Sequence, residues 1–113
     1  TGIYGYTDGM LDVIQPQAAV SVTDLAQTLN ELGQETILLG DGVPVYREQL
    51  EQLLEIPHCY APAHLNRQRA GAVAALAEIY YRAGKCEPAE EMAPEYLRKS
   101  QAEREREERE ERQ

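Results

Sequence analysis

The chain has 113 residues, enough for about one domain with a single modest core, and its 42% apolar content is ordinary for a globular protein. It contains neither Trp nor Phe, so the tyrosines are expected to do the bulky packing, and its formal net charge of -9 leaves no basic footprint for a phosphate backbone. No run approaches the roughly eighteen apolar residues of a membrane span, and no charged-then-apolar leader precedes a cleavage site, which predicts a soluble, cytoplasmic protein.

Ile3–Tyr6 and Met10–Ile14 flank Thr7-Asp8-Gly9, and an Asp-Gly turn between short β-prone runs predicts an antiparallel hairpin. Pro16 ends the second run, leaving Ala18–Val20 as a brief third strand or a connection. From Ser21 the period becomes helical: Val22, Leu25, Ala26, Leu29 and Leu32 share a face, Ser21 or Thr23 caps it, and Gly33 stands where a left-handed cap belongs. Thr36–Leu39 then reads as a strand buried on both faces, closed by Gly40-Asp41-Gly42. Helix followed by buried strand implies α/β layering.

Pro44 suits the first turn of a second helix, with Val43, Tyr46, Leu50, Leu53 and Leu54 on one side and Pro57 as its stop. Ile56–Tyr60 reads as another short strand. Pro62 and Asn66 lead into the longest helix, which carries Ala70, Val73, Ala74, Ala77, Tyr80 and Tyr81 along one side and Gly84 at its end; its small residues let it lie close against a sheet or a second helix. Lys85–Pro94 is an acidic connector, and Glu95–Leu97 is extended or opens a helix. The stretch from Ala102 to Gln113 alternates Glu and Arg without an apolar face, and the pairs Glu105/Arg109 and Glu108/Arg112 have the favourable i,i+4 order of a solvated helix.

Each candidate chemistry meets a physical objection. Zinc would have to recruit His58, Cys59, His64 and Cys86, but adjacent ligands rarely converge on one tetrahedral centre and no second close-spaced pair exists. Two cysteines without a CxxC spacing suit reduced thiols. LLGDG before a helix invites a phosphate-cradle reading, yet it lacks the glycine spacing and lysine of such loops, and Asp41 would repel an anion; a tight turn is expected. Ser21 and Ser100 stand in no GxSxG elbow, and His58 and Cys59 on an extended segment point to opposite faces. Glu90-Glu91 is a carboxylate pair with nothing to desolvate it, and Tyr4/Tyr6 and Tyr80-Tyr81 read as core and rim packing ahead of a ligand groove. No catalytic, cofactor-binding or metal-binding residue is assigned.

Taken together, GIYGYTDGML, LLGDG, RAGAVAALAEIYYRAG and PEYLRKSQAERE resemble the C-terminal half of the bacterial TsaB (YeaZ) family, once described as glycoprotease-like. Thr1–Tyr6 is similar to the later part of the strand that opens the family's second lobe, so the chain reads as a piece of a longer protein; Pro94, Tyr96, Leu97 and Arg98 match the closing P-x-Y-L-R. The resemblance implies one ribonuclease-H-like lobe of the actin-like ATPase superfamily over residues 1–101, with a small mixed sheet opened by the hairpin and packed by about three helices, then a Glu/Arg-rich tail over 102–113. It implies no catalytic role and no cofactor. The lobe would belong to a scaffold for making threonylcarbamoyladenosine at position 37 of tRNA, with a TsaD-like catalytic subunit and a TsaE-like ATPase as partners of the full-length protein, and self-association of a lobe whose apolar surface is bare near Ile3 and the Ala-rich helix. The alternatives are a glycoprotease-like peptidase or acyl-transfer fragment using Cys59 or His64, and a free-standing adaptor that docks through its charged tail.

Overall fold

The structure, a computed structural model, describes residues 1–110. Among them the fold is mixed α/β, with four helices and two two-stranded sheets. Packing gathers these residues into two units, Thr1–Val20 with the segment from Met92 onward and, separately, Ser21–Glu91, a division that differs from the expected boundary between residues 101 and 102.

In the first unit, β1 (Ile3–Thr7) and β2 (Met10–Gln15) form the expected antiparallel hairpin, Thr7 pairing with Met10 across Asp8-Gly9. Both turn residues have positive φ, 53° at Asp8 and 79° at Gly9, the geometry whose twist matches that of the flanking strands. Ala18–Val20 is a connection and not a third strand: Pro16 lacks the N–H a ladder would use, and only Ala18 closes onto Thr1, donating to its carbonyl at 2.7 Å and accepting from its ammonium at 2.8 Å. Glu95–Leu97 forms neither strand nor helix.

The charged tail is helical over α4 (Gln101–Glu110), and its start is a reciprocal cap. Glu103 N–H donates to Ser100 Oγ at 3.3 Å, while the Glu103 carboxylate accepts from the Ser100 N–H and hydroxyl, each at 2.8 Å. Those two bonds from Ser100 hold the Glu103 carboxyl below its usual range. Glu105 accepts from the Gln101 amide at 2.8 Å in place of the expected bond with Arg109, and the i,i+4 ion pair that forms is Arg106 with Glu110 at 2.9 Å. Arg112, half of the second expected pair, lies outside the described residues.

In the second unit, α1 (Val22–Leu32) begins where Ser21 Oγ accepts from Asp24 N–H at 3.1 Å and ends at Gly33, whose φ of 64° is the left-handed cap read from the sequence. β3 (Thr36–Leu38) pairs in parallel with β4 (His58–Tyr60), and α2 (Val43–Leu53) lies between them in the chain, with Pro44 in its first turn. Ala26 and Leu29 of α1, Leu38 of β3, Leu50 of α2 and the adjacent Leu54 are the buried apolar residues. Leu54 is already extended, so α2 ends ahead of Pro57.

Two expectations about packing are corrected here. β3 is covered on one face only: Leu38 is buried, whereas Ile37 and Leu39, which alternate with it along the extended chain, are each 63% exposed. No tyrosine joins the buried set, and leucines from short elements fill it instead.

Asn30 ties α1 to the end of α2. Its Nδ2 donates to the Leu53 carbonyl and its Oδ1 accepts from Glu55 N–H, both at 2.8 Å, which satisfies backbone groups freed where the helix stops. Asn30→Ala should therefore cost about 1–3 kcal/mol, since it removes the partners of two backbone groups at once, the Leu53 carbonyl in a part-buried site and the Glu55 amide in an exposed one. Urea denaturation checks this, with Asn30→Asp retaining the acceptor and losing less.

Folding lowers the Glu103 carboxyl, so the cap's contribution is present above the ordinary glutamate range and is lost as pH falls through the lowered value. Acidification should move the Cα shifts of residues 101–103 toward coil before those of α1, as followed by NMR.

Candidate interaction surface

α3 (Ala70–Arg82) is the longest helix among the described residues, and none of its residues is buried. Asn66, expected to introduce it, instead accepts from Gly40 N–H at 2.8 Å, and Arg69 stands at the N-cap without a side-chain bond. Helical spacing sorts the side chains into two arcs. Leu76 and Tyr80 are half-covered, the Lys85 ammonium lying 5.7 Å from the Tyr80 ring centre. The other arc, Ala70, Val73, Ala74, Ala77 and Tyr81, is exposed, with Val73 at 68% and Tyr81 at 75%. Its charged flank is self-satisfied, since Arg82 reaches Glu78 at 2.6 Å.

Thirteen residues are marginal as an isolated helix in water, and an alanine-rich apolar stripe is stable only when something lies against it. The sequence led to the expectation of close packing against a sheet or second helix; among the described residues the closely packed pairs of elements are β1 with β2, β3 with β4 and α1 with α2, and α3 is not one of them. The outer face of the β3–β4 sheet is similar in character: Ile37 pairs with exposed Cys59, beside exposed Leu39. In the other unit, one face of the hairpin carries Tyr4, Tyr6 and Val13, all exposed, with Leu11 half-buried.

The candidate reactive groups do not come together. Ser21 and Ser100 are spent as helix caps, and both cysteines are exposed. His58 and Cys59 project to opposite sides of β4, and His64 is exposed on a turn. Among the described residues no three His, Cys, Asp or Glu side chains gather as metal ligands. The Gly40-Asp41-Gly42 segment is a tight turn whose Gly40 and Gly42 carbonyls accept the first amides of α2, with Asp41 exposed. No described helix is long and apolar enough to cross a membrane.

One polar cluster was not foreseen. Arg47 and Glu51 lie one turn apart on α2, and His58 and Tyr60 lie two apart on β4, so both pairs face the α2–β4 junction. The Arg47 guanidinium sits 4.3 Å from the Tyr60 ring centre, His58 meets Tyr60 edge-on at 5.8 Å between centres, and His58 Nε2 is 3.5 Å from the Glu51 carboxylate. The Tyr60 hydroxyl is out of solvent with no partner in hydrogen-bond geometry. Burial raises its pKa above the ordinary phenol value; the Glu51 carboxylate, near enough to act on the hydroxyl as a long hydrogen-bond acceptor and as a charge, adds to this and Arg47 opposes it. The spacings i,i+4 and i,i+2 were legible in the sequence; that they meet was not.

Comparison with known protein families, characterised proteins and solved structures finds no match to this chain.

Val73→Asp should leave stability within about 0.5 kcal/mol of the parent, because the side chain is already in water. The same change should reduce binding of a hydrophobic dye, measured by fluorescence at matched concentration.

Proposed function

We propose that this chain is a non-catalytic interaction lobe of a scaffold for making threonylcarbamoyladenosine at position 37 of tRNA, acting in the cytoplasm, with its α/β layering belonging to a ribonuclease-H-like lobe. The observation that carries the reading is the bare arc of α3, an apolar surface on an ordered element whose stability calls for a covering partner. The sequence resemblance to the TsaB (YeaZ) family supplies the identity of the process. The separation of the serine, cysteine and histidine side chains supports binding over chemistry, because nucleophile and base need mutual hydrogen-bond reach. With a net charge of -9, contact with tRNA is left to the partner subunits.

Reconstitution with a TsaD-like catalytic subunit and a TsaE-like ATPase tests the proposal. The chain should co-sediment with the catalytic subunit, and Val73→Asp or Tyr81→Asp should weaken that association at least tenfold, while Cys59→Ser and His64→Ala leave it unchanged. Loss of a turnover that depends on Cys59 or His64 would establish an enzyme instead. Alone, the lobe should show concentration-dependent self-association by light scattering, reduced by the same α3 substitutions; a strict monomer at high concentration argues against a bare docking face.

A further inference from the structure

The hairpin is a sheet with two open edges. Among the described residues β1 pairs with β2 and with no other strand, and two strands alone are marginal in water, where three or more with an apolar face are stable. The turn decides which backbone groups are left over. Thr7 and Met10 flank a two-residue turn and exchange hydrogen bonds, so Gly5 and Asp12, the next pair in the antiparallel alternation, also bond inward. Tyr4 and Tyr6 on β1, and Leu11 and Val13 on β2, therefore turn their N–H and C=O groups outward. Among the described residues none of these four makes a backbone hydrogen bond to another segment.

The two edges differ in charge. The β1 sequence is IYGYT, without the lysine, proline or carboxylate that ordinarily blunts a free edge, and its Tyr6 is 74% exposed. β2 carries Asp12 near its middle. The strand that fits the β1 edge is uncharged and of the same length, and β1 of a second copy meets both terms. Turned about a two-fold axis through Gly5, it sets Tyr4 against Tyr6 of the copy and Tyr6 against Tyr4, so every outward group of the two tyrosines finds a partner. Their rings then lie beside each other on one face. Gly5, on the axis, has no side chain to hold the strands apart, and Ile14 Cδ1 lies 3.4 Å from where its Cβ would stand. The equivalent pairing of β2 sets Asp12 against Asp12, a like-charge contact.

We propose that this chain forms a two-fold dimer through β1, joining two hairpins into one four-stranded antiparallel sheet. The contact uses no residue of the α3 arc and does not rest on the scaffold reading. Five residues at roughly 3.4 Å each make an edge about 17 Å long, short of a standard interface, so the dimer forms at high concentration and dissociates on dilution. Each copy carries a formal net charge of -9, so repulsion opposes the encounter and added salt strengthens the pairing.

An equal mixture of isotope-labelled and unlabelled intact chain tests this by NMR. Filtered spectra should show the Gly5 Hα of one copy against that of the other, their Cα atoms being about 4.5 Å apart across the axis. As the chain is concentrated, the Tyr4 and Tyr6 amides should exchange with water about fivefold more slowly while those of Leu11 and Val13 do not change. Tyr6→Pro removes one outward N–H and keeps the inward bonds of Gly5 and Thr7, so it should sediment as a monomer with the Thr7 and Met10 amides still protected. The parent's Gly5 contact decides the matter whether or not that variant folds, and Val73→Asp should leave the contact in place. A self-associated sample without the Gly5 contact, protection of Leu11 and Val13 in place of Tyr4 and Tyr6, or association that weakens as salt is added would each overturn the pairing. A monomer at every concentration overturns it too, while co-sedimentation with a catalytic subunit remains the separate test of the scaffold reading.

Discussion

Among the described residues, burial of apolar side chains is confined to Ala26, Leu29, Leu38, Leu50 and Leu54, and the order of Ser21–Glu91 depends on keeping those few residues together. Each buried leucine contributes roughly 1.5–3 kcal/mol and Ala26 less, so a core this small has little to spare. Asn30 matters for the same reason. By bonding the Leu53 carbonyl and the Glu55 amide it lets α2 stop sharply, and Leu54 turns inward on extended backbone instead of continuing around the helix. A parallel pair of three-residue strands could not order itself; the helices hold β3 and β4 in place.

The surplus apolar surface follows from the same economy. Leucines of α1, α2 and β3 fill the available interior, and neither the alanine stripe of α3 nor the outer face of β3 is covered. Here the notable groove, between α1 and the end of α2, is open and lined by Asn30, Gln27 and Glu31, whose polar ends already satisfy backbone or one another.

The α2–β4 cluster is the exception, because it brings an acid, a base, a phenol and a guanidinium within reach of each other. Arg47 stacks on Tyr60, and the Glu51 carboxylate lies beside both His58 and the Tyr60 hydroxyl, which is out of solvent.

Local chemistry was legible in the residues. Asp8-Gly9 dictated the hairpin because the turn needs two positive φ values; Ser21 and Gly33 marked the ends of α1 because a hydroxyl and a missing Cβ are what helix ends require; Pro44 opened α2 because its absent N–H has no partner there in any case. The Ser100–Glu103 cap carried an equally plain spacing that went unread. What the residues could not state was which apolar faces would find each other. Ile37 and Leu38 are equally hydrophobic, yet one is buried and the other exposed, and the tyrosines gave way to leucines in the core. Turns and caps are settled by backbone geometry within a few residues, whereas burial and the meeting of Arg47, Glu51, His58 and Tyr60 depend on how distant segments pack, and only the tertiary structure decides that.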